Sequence, residues 1–521
     1  MRALVITVGY LCLFCLSLTV NTWGNDFPIS YHADEPGKVA QVLGIQPRNH
    51  RHPPLLLDLT WITHKVRNTG DGFEQVVNSG RWVSAIAGAL AVVMLTATAH
   101  LLLGGLPAFL AGIMVAFNPS LMVFSHYMKE DVLLFMGFSA MILTATVYWR
   151  TGRWWAAMLL GIACVLTVMG KYIGIVMVLG ALVIFVCRFK SLKKKQRLIV
   201  TLSFAGGLVS AILLFGYHWW ADLNQAFGGL AYEWNHVRSG HTDLKLTLPG
   251  AILFYGLGIQ EQLQHWPIPL SLLGVYWMLK KQTSSARVLT CMIVGVLLIY
   301  GILLLISRVP GDRYALPIVV MIAWFAALGL WGLVVIFSNR FKQKQKHWKV
   351  VASSLLVGVC AYQVHQVTYQ FDHDGRPDMW QWVQANLSSS DIVVEDFYCA
   401  MPDQRYELLV KLYGKWQPKI RINRQAAQFG TLDKLKRSGV THVAVCNYSY
   451  DRFINTPGLE PTANDEEAQA RVKHTRQFYW QLFAEYPVVW SHQPRYNLPG
   501  LTSPKLHIFQ LNQGDTSEKS E

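Results

Sequence analysis

A polytopic α-helical membrane protein carrying a small α/β domain at its C-terminal end is the fold class that three observations predict. Of the 521 residues, 52% are apolar and 19 are Trp, a composition far from that of a single soluble domain. Apolar runs approaching the ~20 residues needed to cross a bilayer core of ~30 Å recur through the first 370 residues. After about Tyr369 these runs give way to short buried strands and amphipathic helices. The net charge of +15 does not point to nucleic acid, because the basic residues fall in short clusters between the apolar runs. That distribution is the positive-inside pattern of membrane proteins.

The first apolar run reaches about Val20. It has a basic start and no small-x-small cleavage site before Asn25, so it reads as a retained helix. Leu55–Ile62 reads as a segment lying along the interface. Further spans are expected at 83–103, 106–125, 131–149, 153–169, 171–187, 198–217, 264–280, 286–306, 313–337 and 348–366, which makes eleven with the first. Glycines at 250, 256 and 258 interrupt 248–263, which reads as re-entrant or interfacial. With the N-terminus inside, alternate loops carry Arg150 and Arg153; Arg188, Lys190, Lys193, Lys194, Lys195 and Arg197; Lys280, Lys281 and Arg287; and Arg340, Lys342, Lys344, Lys346 and Lys349. An odd number of crossings then places the C-terminal domain outside.

The expected organisation is a membrane domain over 1–370, an α/β domain over 371–513 and a polar, disordered tail over 514–521. In the α/β domain, Ile392–Val394, Thr441–Val445 and Leu506–Phe509 read as strands, and Pro377–Asn386, Gln404–Tyr413 and Glu466–Phe483 as helices. Six of the eight cysteines lie in apolar segments and behave as small hydrophobes. Cys399 and Cys446 fall in the α/β domain, where one disulfide and two buried thiols are both compatible with the sequence.

Two acidic pairs stand at the expected outer membrane edge: Asp34-Glu35 after the first span and Glu130-Asp131 before the fourth. Carboxylates beside a low-dielectric core are costly unless they bind a cation or move a proton. The plain alternative is hydrated acids favoured by helix N-terminal dipoles. His32, His50, His52 and His126, with Glu233, His236 and His241 farther on, supply metal- or proton-binding groups, and a divalent cation is one candidate cofactor. None has helical metal-ligand spacing, and His52 stands out because Pro53-Pro54 fixes the backbone beside it. Lys129, Lys171, Arg308 and Arg313 lie on the same side, against the positive-inside preference. A phosphate ligand would explain them, as would pairing with Asp312 or anionic lipid. In the α/β domain, Glu395, Asp396, Tyr398 and Tyr448-Ser449-Tyr450-Asp451 follow two expected strands, a common location for binding sites.

Taken together, Asp34-Glu35, His52-Pro53-Pro54-Leu55, Glu130-Asp131, Gly170-Lys171-Tyr172 and Arg313-Tyr314-Ala315-Leu316-Pro317 resemble the GT-C glycosyltransferases of the family 39 type. That group includes protein O-mannosyltransferases and the lipid A aminoarabinose transferase. The resemblance covers about the first 370 residues, and nothing here resembles the MIR domain of the eukaryotic members. It implies a polyprenyl-phosphate sugar donor, a lipid, glycan or protein acceptor, and an active site outside the cytoplasm in a multi-pass protein of the bacterial inner membrane. Its first-loop acid matches Asp34 and its second-loop acid Asp131. The expected roles follow: Asp34, Glu35 and Asp131 catalytic; Arg313, Lys171 and Arg308 on the donor phosphate; His52, Glu130 and His126 on acceptor or metal. Trp219-Trp220-Ala221-Asp222 reads as interfacial anchoring. Competing readings are a lipid or sugar transporter, disfavoured by acids gathered at one edge and by the lack of an internal repeat, and an envelope scaffold.

Overall fold

The computed structural model describes residues 2–27, 31–240, 243–281, 283–340, 345–400, 418–456, 458–462 and 466–511. The expected helix Gln404–Tyr413, the tail from Gly514, and His241, Lys342 and Lys344 lie outside the described residues. The membrane part runs through α1 (Arg2–Asn21), α2 (Glu35–Val42), α3 (Leu55–Arg67), α4 (Phe73–Leu103), α5 (Gly105–Ala116), α6 (Pro119–Ser125), α7 (Asp131–Thr151), α8 (Trp154–Gly170) and α9 (Ile175–Lys190). It continues through α10 (Lys194–Phe215), α11 (Tyr217–Ala221), α12 (Leu223–Ser239), α13 (Leu248–Leu263), α14 (Pro267–Lys281), α15 (Ser284–Ile306), α16 (Leu316–Arg340) and α17 (Gln345–Asp372).

Among the described residues eight helices are long and apolar enough to cross a membrane, and α5 with α6, bent by 55°, makes a ninth. The chain is a multi-pass membrane protein. The other two expected spans are α8, 17 residues, and α14, 15 residues. At 1.5 Å per residue they reach ~26 and ~23 Å, short of an average bilayer core. Both pack backbone to backbone with a longer helix. Gly161 and Gly207 let α8 approach α10, and Gly274 and Gly329 do the same for α14 and α16, where any Cβ would meet main chain. The first helix is built into the bundle: Asn21 is buried and its Nδ2 donates to the Ala85 carbonyl at 3.3 Å. The interrupted stretch at 248–263 forms α13, and Gly170-Lys171 is the expected tight break, Lys171 being extended at φ −164°.

Loops segregate by parity. The Arg150 guanidinium donates to the Leu101 carbonyl, and Gly152 sits beside Leu192 and Arg188, so the first two basic loops share one end. The acidic and histidine-bearing loops gather at the other end, under the C-terminal domain.

That domain begins with α18 (Gly375–Asn386) and contains a five-stranded sheet. We number its strands with the outlying β1 (Leu244–Leu246): β2 (Ile392–Asp396), β3 (Lys419–Asn423), β4 (His442–Cys446), β5 (Leu459–Pro461), β6 (Val488–His492) and β7 (Leu506–Gln510). The order is β3-β2-β4-β7-β6, with β3, β2 and β4 parallel and β7 and β6 antiparallel. The central strands are buried Val-rich runs, as the sequence leads one to expect. The two edges, β3 and β6, are absent from the sequence reading because Lys-Ile-Arg-Ile-Asn and Val-Val-Trp-Ser-His look half-exposed, which edge strands are. Cys399 and Cys446 are buried free thiols.

The domain is clasped to the membrane part. β1, from the loop after α12, pairs antiparallel with β5. The Gly500 amide donates to Asp312 at 2.7 Å and the Leu501 amide to the Tyr127 hydroxyl at 2.7 Å.

Candidate functional site

The two acidic pairs meet, and each splits into one residue facing a cavity and one turned inward. Asp34 is the N-cap residue of α2 and Pro36 stands at the helix start, yet the Asp34 side chain makes no cap hydrogen bond. It is therefore directed into the cavity, where it is 46% exposed and ion-paired with the Lys129 ammonium. Glu35, one residue on, is fully buried. Its Oε2 accepts from Arg81 Nη2 at 3.0 Å and from the Tyr31 amide at 2.9 Å; its Oε1 accepts from Arg81 Nε at 3.3 Å and from the Met128 amide at 3.0 Å. Arg81 has the same complete burial. Glu35 does not line the cavity; it ties the first loop to α4 and to the second loop.

In the second pair, Glu130 is buried and lines the cavity beside the Lys38 ammonium, with Lys129 at 3.6 Å. Asp131 opens α7 and points the other way, to Lys171 at 2.5 Å and Arg313 Nε at 3.5 Å. Four carboxylates thus meet five cations at the membrane edge, and at Asp34 and Glu130 the cations favour the ionised form. Burial works to raise the Asp34 carboxyl, but Lys129, His32, Arg313 and Lys38 hold it well below its usual value. Glu130 is lowered in the same way by Lys38, His52 and Lys129 against its burial. Burial depresses the Lys129 ammonium, yet Asp34 and Glu130 raise it above its ordinary value.

His32 bridges Asp34 and Arg313. Its Nδ1 lies 3.1 Å from the Asp34 amide nitrogen and its Nε2 3.1 Å from Arg313 Nη1, so it accepts from one or the other according to tautomer. Burial pushes it well below the usual histidine value. His52 also lines the cavity, with Nδ1 3.9 Å from Glu233 Oε1, and burial lowers it to about 3. Glu233 arrives on α12, which approaches closely because Gly229, one turn earlier, rests against the His50 carbonyl where a Cβ would clash. Tyr172 donates its hydroxyl to that same carbonyl at 3.0 Å.

The cavity encloses about 370 Å³, within the range of small-molecule sites. The C-terminal domain supplies part of its wall through Tyr398, Arg424 and Arg452. These residues follow the carboxyl ends of the parallel strands β2, β3 and β4 respectively, the usual binding edge of such sheets. The sequence reading found Tyr398 but not Arg424, Arg452, Lys38 or Arg51, the last of which lies over the Tyr232 ring at 4.1 Å. Arg81 was also missed, although a single arginine at the edge of an apolar run calls for a buried acid.

Besides Glu35, two expected site residues, His126 and Arg308, stand away from the cavity. His126 is buried between the Met122 and Trp23 carbonyls, each 2.6 Å from a ring nitrogen, and stacks on Phe371 at 3.9 Å. Its ring nitrogens face main chain rather than the cavity. Arg308 is exposed, and its backbone bonds to Val237 and Leu246. Lys171 stays near the site, over the Tyr314 ring at 4.2 Å.

A divalent cation fits this arrangement poorly. Among the described residues no three His, Cys, Asp or Glu side chains form a group able to hold a metal ion. The acids that meet here face ammonium and guanidinium groups instead, which oppose a second cation.

Residues 51–220 match the family model described as dolichyl-phosphate-mannose-protein mannosyltransferase. The matched segment contains His52, Glu130, Asp131 and Lys171; it begins after Asp34 and ends before Arg313. No curated protein sequence matches the chain. Among solved structures, the chain is similar to ArnT from Cupriavidus metallidurans in the apo state, with a TM-score of 0.52 and 12% identity over 97% of this chain and 98% of that one. It is likewise similar to the same protein bound to undecaprenyl phosphate, with a TM-score of 0.50 and 13% identity over the same shares. The fold is shared with ArnT over nearly the whole of both chains, C-terminal domain included.

Proposed function

We propose that this chain is a membrane glycosyltransferase that moves a sugar from a polyprenyl-phosphate donor to a hydroxyl of a lipid, glycan or protein acceptor. One observation carries the reading: Asp34 is a half-exposed carboxylate in a cation-lined cavity at the membrane edge, beneath a domain that covers it. The family model over 51–220 and the undecaprenyl phosphate named for the similar ArnT structure support a donor of this class.

The cavity's groups fit such a transfer. Arg313 and Arg51 offer guanidinium donors to a phosphate entering from the bilayer. Lys171 and Asp131 hold Arg313 in place from behind rather than facing the ligand. As the acceptor oxygen attacks the anomeric carbon, the carbon–oxygen bond to phosphate breaks and polyprenyl phosphate departs with the bonding electrons. The acceptor hydroxyl becomes strongly acidic only as its new bond forms, so an ionised Asp34 takes the proton late in the step. Lys129 keeps that carboxylate charged until then, and His32 lies between the Asp34 amide and Arg313 on the leaving-group side. A single displacement of this kind inverts the anomeric centre. Glu130, with Lys38, and His52 line the same cavity around the reacting groups.

The positive-inside rule favours placing the basic loops in the cytoplasm and the cavity, with the C-terminal domain, outside the bacterial inner membrane. The test uses wild-type protein in proteoliposomes, incubated with radiolabelled polyprenyl-phosphate sugar and total envelope lipids and glycans. Label is expected to appear in a new product identified by mass spectrometry, together with free polyprenyl phosphate. Counterflow of intact donor without any covalent product would support a transporter instead.

A further inference from the structure

A second cavity of about 190 Å³ adjoins the first and shares with it His32, Arg313, Tyr398 and Arg452. It is the more aromatic of the two. Its walls are the rings of Phe124, Tyr127, Phe254 and Tyr448, and its polar groups include Asn447, Asp451 and Asp312. Tyr398 forms the partition, edge-on to Tyr448 at 6.1 Å, with the Arg452 guanidinium 5.9 Å from its ring. The space equals roughly six waters' share of liquid, about one pyranose ring.

The side chains are held as a built surface. Tyr127 is anchored by the Leu501 amide at 2.7 Å and by Thr502 Oγ1 at 3.0 Å, and the Tyr448 hydroxyl donates to the Thr502 carbonyl at 3.2 Å. Both hydroxyls are thereby engaged at their far ends, while the rings line the cavity. Asp312 accepts from the Gly500 and Arg313 amides. Asp451 is oriented by Asn455 Nδ2 at 2.5 Å and stands on the short helix Asn447–Ile454 that follows β4.

We propose that this second cavity is the acceptor subsite and that it binds an uncharged saccharide ring. The inference rests on the glycosyltransferase reading above. Electron-rich ring faces receive the C–H edges of a sugar, and a carboxylate accepts bonds from its hydroxyls. In the second cavity Asp312 and Asp451 balance Arg313 and Arg452, whereas the first adds Lys38, Arg48, Arg51, Lys129 and Arg424 and so favours an anion. The two ligands would meet at Tyr398, His32, Arg313 and Arg452, which line both cavities. Tyr398 and Asp451, flagged in the sequence only as strand-end residues, thereby become determinants of acceptor specificity.

The test uses the full chain in nanodiscs and a panel of methyl glycosides of mannose, glucose, galactose and N-acetylglucosamine as probes, read by saturation-transfer NMR. At least one glycoside is expected to give signal with wild type. Tyr398→Ala and Asp451→Asn should each weaken it fivefold or more at unchanged melting temperature, and Tyr398→Phe, which keeps the ring, should retain it. Absence of signal for every glycoside in wild type, or equal signal in Tyr398→Ala and Asp451→Asn, would overturn the proposal. Donor turnover by wild type is measured in parallel: its absence with glycoside binding intact would remove the transferase reading and leave the saccharide site standing.

Discussion

Asp34-Glu35 and Glu130-Asp131 look alike in the sequence, yet within each pair the two acids face different surroundings. Asp34 is 46% exposed to a cavity, whereas Glu35 is sealed against Arg81 with its two oxygens accepting four bonds. Glu130 pairs with Lys38 at the cavity wall, and Asp131 faces Lys171 behind it. Successive residues at a helix start point about 100° apart, so an acidic pair there supplies one inward and one outward carboxylate. A charge turned inward requires a partner of its own, and the chain provides Arg81 for one and Lys171 with Arg313 for the other.

The largest effect separating the two kinds of acid is on stability. Arg81→Met leaves Glu35 buried without its cation and is expected to cost about 3–5 kcal/mol, seen as a large drop in detergent melting temperature. Adding Glu35→Leu to Arg81→Met should recover most of that loss, because the pair then leaves together. If Arg81→Met melts like wild type, Glu35 is not the structural member of its pair. Next in size, Asp131→Asn frees Lys171 and Arg313 from their anchor and should raise the donor KM about tenfold, ~1.4 kcal/mol, with a smaller change in kcat. An equal fall in kcat at unchanged KM would move Asp131 from positioning to chemistry.

The pH dependence gives smaller but diagnostic effects. Lys129, acting against burial, holds Asp34 below its ordinary value of 3.8. Its ionised form is present above the lowered value and is lost only as the pH falls through it, so the acid limb of kcat should lie below pH 3.8. Lys129→Met should move that limb upward. His52, lowered by burial to about 3, stays neutral across neutral pH. The unfolded chain takes up that proton first as the pH falls through 6.5, so stability rises with pH between about 3 and 6.5. His52→Gln should flatten the melting-temperature slope in that window while leaving the neutral activity profile without a new inflection.

Much of the scaffold is legible in the sequence, because a bilayer imposes length and apolarity on each span and sorts basic loops to one side. Each of the eleven expected spans is a helix or a bent pair, although α8 and α14 are shorter than a full crossing. Central strands were legible from their Val-rich runs; edge strands β3 and β6 were not, since half-exposed alternation carries less signal. Of the residues lining the candidate cavity, Asp34 and Arg313 are legible because charge near an apolar boundary needs a reason, and His52 because Pro53-Pro54 fixes the backbone beside it. Lys38, Arg51, Arg424 and Arg452 were missed because basic residues in polar segments carry no such tension, and only the tertiary fold gathers them. His126 and Arg308 had the right chemistry in the right loops, but local main-chain geometry turned one inward and left the other on the surface.

The most direct measurement of the role given to Asp34 is the single-turnover rate of sugar transfer by Asp34→Asn in proteoliposomes, at saturating labelled donor and matched melting temperature. A general base at this position predicts a rate at least about a hundredfold below wild type with donor affinity retained. A rate equal to wild type would contradict it.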